Sequence, residues 1–205
     1  VGSEMCIRDR LMLVKESQAF ICVPGGFGTL DEMFELLTLQ QTGKADPTPI
    51  VLLDRAGGTF WAGLERFVHE HLVAGGVISP DDFDRVLVTD SVDAAVTEIT
   101  GFYRNYDSLR WVGGRLVIRL HTAPTDDELD DLNARFGDLL AEGRIERTAP
   151  LRAEVRDDDR LELPRVVLRL DQFKVGALHR LIRALNDLPS AAAETETTPV
   201  PVSGR

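Results

Sequence analysis

The chain has 205 residues, 43% hydrophobic and 28% charged, enough to bury one large core or two small ones. Its formal net charge of −11 argues against nucleic acid or an anionic membrane as a partner. No apolar run nears the roughly 20 residues of a membrane span and no signal peptide is visible, so a cytoplasmic protein is expected.

Residues 1–10, Val-Gly-Ser-Glu-Met-Cys-Ile-Arg-Asp-Arg, fit neither a helix face nor an alternating strand and read as a non-native leader. Ala19 to Val23 is a short apolar run, predicted to be a strand. A glycine-rich turn follows it, and a helix is predicted from Leu30 to near Gly43, a C′ glycine with Lys44 beside it. Asp46-Pro47 breaks the chain, and Pro49 to Asp54 reads as a buried parallel strand. Gly57-Gly58-Thr59 opens a helix with Phe60, Trp61, Leu64, Phe67, Val68 and Leu72 in one apolar stripe, ended by Gly75-Gly76. Asp84 to Asp90 is the next strand. Ser91 caps a helix with Val92, Ala95, Val96 and Ile99 on one face. Strands alternating with such helices imply βαβ units and a parallel sheet. In open sheets of this kind ligands bind beyond the carboxyl ends of the strands, which is where Pro24 lies.

The composition shifts between Asn105 and Gly114, and a second unit of β-α-β-β-α order is expected over residues 109–188. Arg115 to Leu120 is a strand, and Pro124 begins a helix through Leu140 with acidic residues in its first turn. Arg144 to Leu151 and Arg165 to Leu170 read as strands around a polar turn, Asp157-Asp158-Asp159. A last helix runs from Val175 to Leu188. Residues 189–205, rich in Ala, Glu, Thr and Pro, are expected to be disordered. No catalytic constellation is visible in this unit, and packing is its expected role.

The turn Pro24-Gly25-Gly26-Phe27-Gly28-Thr29-Leu30-Asp31-Glu32 carries the chemistry. Gly25, Gly26 and Gly28 lack Cβ, so they can take φ > 0 and let a ligand approach the backbone. The turn ends at a helix N-terminus, where free N–H groups and the dipole favour an anion such as phosphate. Glu32 then stands one turn into that helix, beside the proposed anion site. Thr29-Leu30-Asp31-Glu32 also fits a capping box, with Thr29 as the cap and Glu32 folded back on it. The turn is neither a G-x-G-x-x-G fingerprint nor a Walker A loop, so spacing supports a phosphate or nucleotide site and no particular reaction. Cys6 and Cys22 give no disulfide framework, and neither they nor His69, His71, His121 and His179 have metal-ligand spacing, so no metal is expected. Lys44 is expected to stabilise a helix C-terminus, and no pyridoxal-binding lysine with its partners is recognisable.

PGGFGTLDE resembles the P-G-G-x-G-T-x-x-E signature of the Lonely Guy family, long mislabelled as lysine decarboxylases. The resemblance extends over Leu11 to Lys15, Ala19-Phe20, Glu35, Leu37-Thr38-Leu39 and Gln41-Thr42-Gly43-Lys44. It covers residues 11 to about 105 in pattern. Tyr103-Arg104-Asn105-Tyr106 and Arg110-Trp111-Val112-Gly113 resemble longer bacterial members with a C-terminal extension.

That resemblance implies an α/β fold with a Rossmann-like parallel sheet, helices on both faces and a truncated N-terminus. Residues 11–108 would be its C-terminal half, followed by a small α+β domain at 109–188. It implies a phosphoribohydrolase acting on AMP or cytokinin ribotides, with Glu32 catalytic and Pro24, Gly25, Gly26, Gly28 and Thr29 holding the 5′-phosphate. No cofactor and a homodimer are implied. The family's upstream G-G-G-x-x-G-x-M-G motif does not occur here. Counting back without a gap puts Asp9 at the family's catalytic arginine position and Arg10 at its lysine position, so this chain alone is expected to be inactive. The alternative is a nucleotide or phosphorylated-cofactor binding protein of similar fold without hydrolysis.

Overall fold

The computed structural model describes residues 12–195; the expected leader at 1–10 lies outside them, as do residues 196–205. Two compact units are present, one running through Gly101 with Val175–His179, the other from Phe102 to Lys174 with Arg180 onward.

The first unit is α/β. Helical residues 12–16 precede a three-stranded sheet of β1 (Phe20–Cys22), β2 (Ile50–Leu53) and β3 (Val86–Thr89), in that order and parallel throughout. Flanking helices are α1 (Phe27–Gln41), α2 (Phe60–Phe67) with a π-helical continuation Val68–Val73, and α3 (Val92–Phe102). Ile50, Val51 and Leu52 of the central strand are fully buried, as the uninterrupted apolar run requires in a sheet covered on both faces. The core joins Met33 and Leu36 of α1, Ile50 and Leu52, Trp61, Val68 and Phe83. The predicted α2 stripe is narrower than expected. Trp61, Leu64, Val68 and Leu72 pack inward, while Phe60 and Phe67 lie at its margin and are exposed. On α3, Ser91 caps as expected, its hydroxyl accepting from Ala94 N–H at 3.2 Å. Ala95 is buried there, whereas Val92 and Val96 face outward.

The second unit is a four-stranded antiparallel sheet of β4 (Tyr106–Val112), β5 (Arg115–Leu120), β7 (Arg165–Leu170) and β6 (Leu140–Arg147), in that spatial order. Its helices are α4 (Asp126–Phe136), α5 (Arg152–Asp157), α6 (Leu178–Asn186) and α7 (Pro189–Thr195). Three differences from the sequence-based expectation stand out. Strand β4 occupies the stretch between Asn105 and Gly114 where the composition shifts, joined to β5 by Gly113 and Gly114, both at positive φ, a two-residue hairpin turn. The supposed polar turn at Asp157 is the C-terminus of α5, closed by Asp158 in the left-handed region. Residues 189–195 are helical rather than disordered, because Leu188 and Ala191 are buried and Ser190 is anchored to Glu128.

Two polar devices specify this unit. Asn186 holds the end of α6 to the start of β4: its Oδ1 accepts from the N–H groups of Asn105 and Tyr106 at 2.9 and 2.8 Å. Asn105 answers by donating to Leu185 O at 2.9 Å. On one face of the sheet the fully buried Glu154 carboxylate receives Arg165 at 2.7 Å and Arg119 at 2.8 Å. Its second oxygen accepts Leu151 N–H at 2.9 Å. Arg119 continues to Asp159, which also pairs with Arg110.

Removing one member of a buried ion cluster leaves the others charged and uncompensated, which costs about 3–5 kcal/mol. Glu154→Ala is therefore expected to lower the unfolding free energy by about that amount in urea titration, and a loss under about 1 kcal/mol would contradict the network's role. Glu128 supplies a pH-dependent contact. Burial would raise its pKa, but hydrogen bonds from Thr125 and Ser190 outweigh that and hold it below the usual 4.5. A carboxyl depressed in the folded state stabilises fully above its unfolded value, and that contribution disappears as pH falls through the folded value. The Ser190 amide resonance is thus expected to move as acidification below 4.5 protonates Glu128 and frees α7, and to stay put in Glu128→Gln.

Candidate functional site

The helix α1 begins two residues before the Thr29 cap expected from the capping box. Gly26 is the N-cap, at φ −90° and ψ −158°, and its carbonyl accepts the first helical bond from Leu30 N at 3.2 Å. No side chain caps this end. Thr29 is the third helical residue, so the T-x-x-E pair cannot form the expected box. A glycine N-cap costs little and contributes no side chain. The first backbone N–H groups of α1, which have no partner within the helix, are therefore left for a ligand.

The glycines act by their missing side chains rather than by φ > 0, since none of Gly25, Gly26 and Gly28 is among the residues in the left-handed region. At Gly25 a Cβ would come within 2.2 Å of Thr29 Oγ1, so only glycine lets the Thr29 hydroxyl fold back over the turn. That hydroxyl has no hydrogen-bond partner among the described residues. Nothing lies within 4 Å of a Cβ built at Gly26 or Gly28, so their bare backbone faces open space. Pro24 is exposed at the mouth of the turn.

Glu32 is half-buried and is the sixth residue of α1. It follows Gly28 by four positions and Thr29 by three, so the three share one helix face. Cα–Cβ bonds tilt toward a helix N-terminus, so Glu32, about 7.5 Å along the axis from the first helical residue Phe27, leans back toward the turn. The structure thus brings together Gly25, Gly26, Gly28, Thr29 and Glu32 at one end of α1. Cys22, in the strand before the turn, has its thiol pKa raised by burial, which keeps it protonated and a poor nucleophile.

Beyond the carboxyl ends of β1 and β2 lies a groove of about 680 Å³ lined by Val23, Pro24, Leu53, Asp54, Arg55, Thr59 and Phe60. Glu32 is not among its lining residues. Sequence reading placed Phe60 in the core stripe and passed over Asp54 and Arg55. Asp54 holds the groove's floor: its carboxylate accepts N–H bonds from Arg55 at 2.9 Å, Phe60 at 2.8 Å and Trp61 at 3.3 Å, so it caps α2 from the preceding strand. A Cβ at Gly58 would lie 2.1 Å from Asp54 Oδ1, which explains the glycine there. The available signal was position, since both residues end a strand whose carboxyl edge faces the glycine turn. Lys44 is exposed just past α1, and Gly43 takes φ +68° as its C′ residue. His69 and His71 are exposed. Among the described residues no group of three or more His, Cys, Asp or Glu is placed to hold a metal, and no helix is long and apolar enough to cross a membrane.

Residues 2–99 match a family model described as "possible lysine decarboxylase". The cytokinin riboside 5′-monophosphate phosphoribohydrolase of Mycobacterium tuberculosis is 40% identical over 100 residues, 46% of this chain and 51% of the relative. The protein of the same name from Rhodococcoides fascians is 30% identical over 90 residues, 44% of this chain and 43% of the relative. Cytokinin riboside 5′-monophosphate phosphoribohydrolase LOG1 of Arabidopsis thaliana is 31% identical over 113 residues, 53% of this chain and 51% of the relative. The chain spans about half the length of the curated relatives it matches.

The three glycines are expected to respond differently to alanine. Gly25→Ala must displace the Thr29 side chain and should destabilise by about 1–3 kcal/mol, the usual cost of overpacking. Gly28→Ala meets no neighbour and gains helix propensity, so it should stabilise by up to about 1 kcal/mol. Thermal unfolding of the two variants checks this, and equal destabilisation would show that Gly28 is held by packing.

Proposed function

We propose that residues 2–99 belong to the Lonely Guy family and that the whole protein is a nucleoside 5′-monophosphate phosphoribohydrolase. It would cleave the N-glycosidic bond of AMP or a cytokinin ribotide to give free base and ribose 5-phosphate. The observation that carries this reading is the uncapped start of α1. Supporting it are the Gly26 cap without a side-chain hydrogen bond, the Thr29 hydroxyl without a hydrogen-bond partner among the described residues, and a carboxylic residue, Glu32, three positions further along the same helix. In this reading Gly25, Gly26, Gly28 and Thr29 bind the 5′-phosphate and Pro24 shapes the turn. Binding at the phosphate, remote from the bond that breaks, then fixes the ribose for reaction.

The chemistry follows from the bond. Departure of the base leaves an oxocarbenium-like sugar, as in glycoside hydrolysis. Water adds its oxygen to the anomeric carbon, the base leaves with the glycosidic electron pair, and Glu32 stabilises the cationic ribose or takes the proton of the attacking water. Decarboxylation, the reaction named in the family description, would call for a pyridoxal-binding lysine with its partners, and no such set is recognisable in the sequence. A cytoplasmic homodimer belongs to the same reading, and the exposed Ile21, Val23 and Phe27 offer apolar surface for association. The chain's negative charge speaks against nucleic acid and membrane partners.

A second reading is binding without hydrolysis, which applies if the native chain carries no arginine just before Leu11. One experiment separates the two. The full-length protein incubated with AMP or a cytokinin ribotide is expected to release free base, detected by chromatography. Glu32→Gln is expected to reduce that release by about 10²–10⁴-fold while ribotide binding persists. Binding without base release in the wild type would establish the second reading, and undiminished turnover in Glu32→Gln would make Glu32 structural.

A further inference from the structure

β1 and β2 pair in parallel with a constant offset: Phe20 with Ile50, Ile21 with Val51, Cys22 with Leu52. That pairing puts the segments following β1 and β2 at the same carboxyl edge of the sheet. Pro24 and Arg55 indeed border the same groove. The two charged residues lining that groove differ in what engages them. Asp54 is committed to three backbone N–H groups. The exposed Arg55 side chain has no ion pair or hydrogen bond among the described residues. In a chain of net charge −11 with many paired arginines, an unengaged guanidinium beside an anion-binding turn is a distinct feature.

We propose that Arg55 contacts substrate directly, gripping the 5′-phosphate from the β2 side while the α1 amides hold it from the helix side, and so selects nucleotides over nucleosides. The inference rests on the phosphoribohydrolase reading for the identity of the ligand. Its physics is general. A guanidinium fork matches two phosphate oxygens at once, which a helix N-terminus alone cannot do. Arg55 follows Asp54 directly, and Asp54 is fastened to the start of α2, so the backbone bearing Arg55 is fixed while its side chain is left to reach the ligand. Phe60 and Leu53 line the same groove and give the arginine stem an apolar surface to lie on.

The test uses the full-length protein, with ribose 5-phosphate, AMP and adenosine as probes in calorimetric titration. Arg55→Ala is expected to weaken ribose 5-phosphate and AMP by about tenfold and to leave adenosine unaffected, with Arg55→Lys in between. In turnover, the KM for AMP should rise by a similar factor at nearly constant kcat. Unchanged ribose 5-phosphate affinity, or equal losses for AMP and adenosine, would overturn the proposal. A wild type that binds ribose 5-phosphate yet releases no base would refute the hydrolase reading instead, and the comparison of wild type with Arg55→Ala would still decide the role of Arg55.

Discussion

The candidate site depends on one backbone constraint: the chain must leave a parallel strand and enter α1 with no side chain over the first helical amides. Most helices satisfy these amides with a Ser, Thr, Asp or Asn cap. Here Gly26 stands at the cap, and Thr29, which could have capped, lies inside the helix with its hydroxyl folded over Gly25. The unsatisfied donors and the helix dipole then act in the same direction, toward an anion. The dipole acts over about the first turn, and Glu32, the sixth residue, follows in the second turn of α1.

The sheet determines where this helix end points. β2 is buried on both faces and anchors the unit, and β1 pairs with it in a register that brings the glycine turn beside the residues following β2. Asp54 uses that neighbourhood to cap α2 from outside the helix, so two helix starts, α1 and α2, flank one groove at the carboxyl edge. Local turn chemistry and sheet topology thus converge on one place, as expected for an open parallel sheet.

Much of this was legible in the sequence. The Ala19 to Val23 run, the Pro49 to Asp54 run and the Asp84 to Asp90 run each became a strand, because uninterrupted apolar segments bounded by Gly, Pro and Asp have few other solutions. The glycine turn and Glu32 were found by motif. The start of α1 was misplaced because Thr29-Leu30-Asp31-Glu32 satisfies a capping box locally, and only the Gly25–Thr29 approach reveals the alternative. Asp54 and Arg55 were missed because their roles depend on strand register, a non-local property. In the second unit β4 was overlooked, its Asp, Ser and Arg positions masking a strand that Gly113-Gly114 should have announced as half a hairpin. The helix at 189–195 was hidden by composition: alanine and threonine read as solvated, yet Glu128 and a buried Ala191 hold it in place.

The most direct test of the central claim is an amide NMR titration of the full-length protein with ribose 5-phosphate, using ribose as control. The account predicts that the N–H resonances of Gly26, Phe27, Gly28 and Thr29 shift with ribose 5-phosphate and not with ribose. Shifts that bypass these four amides, or that appear equally with the uncharged sugar, would contradict it.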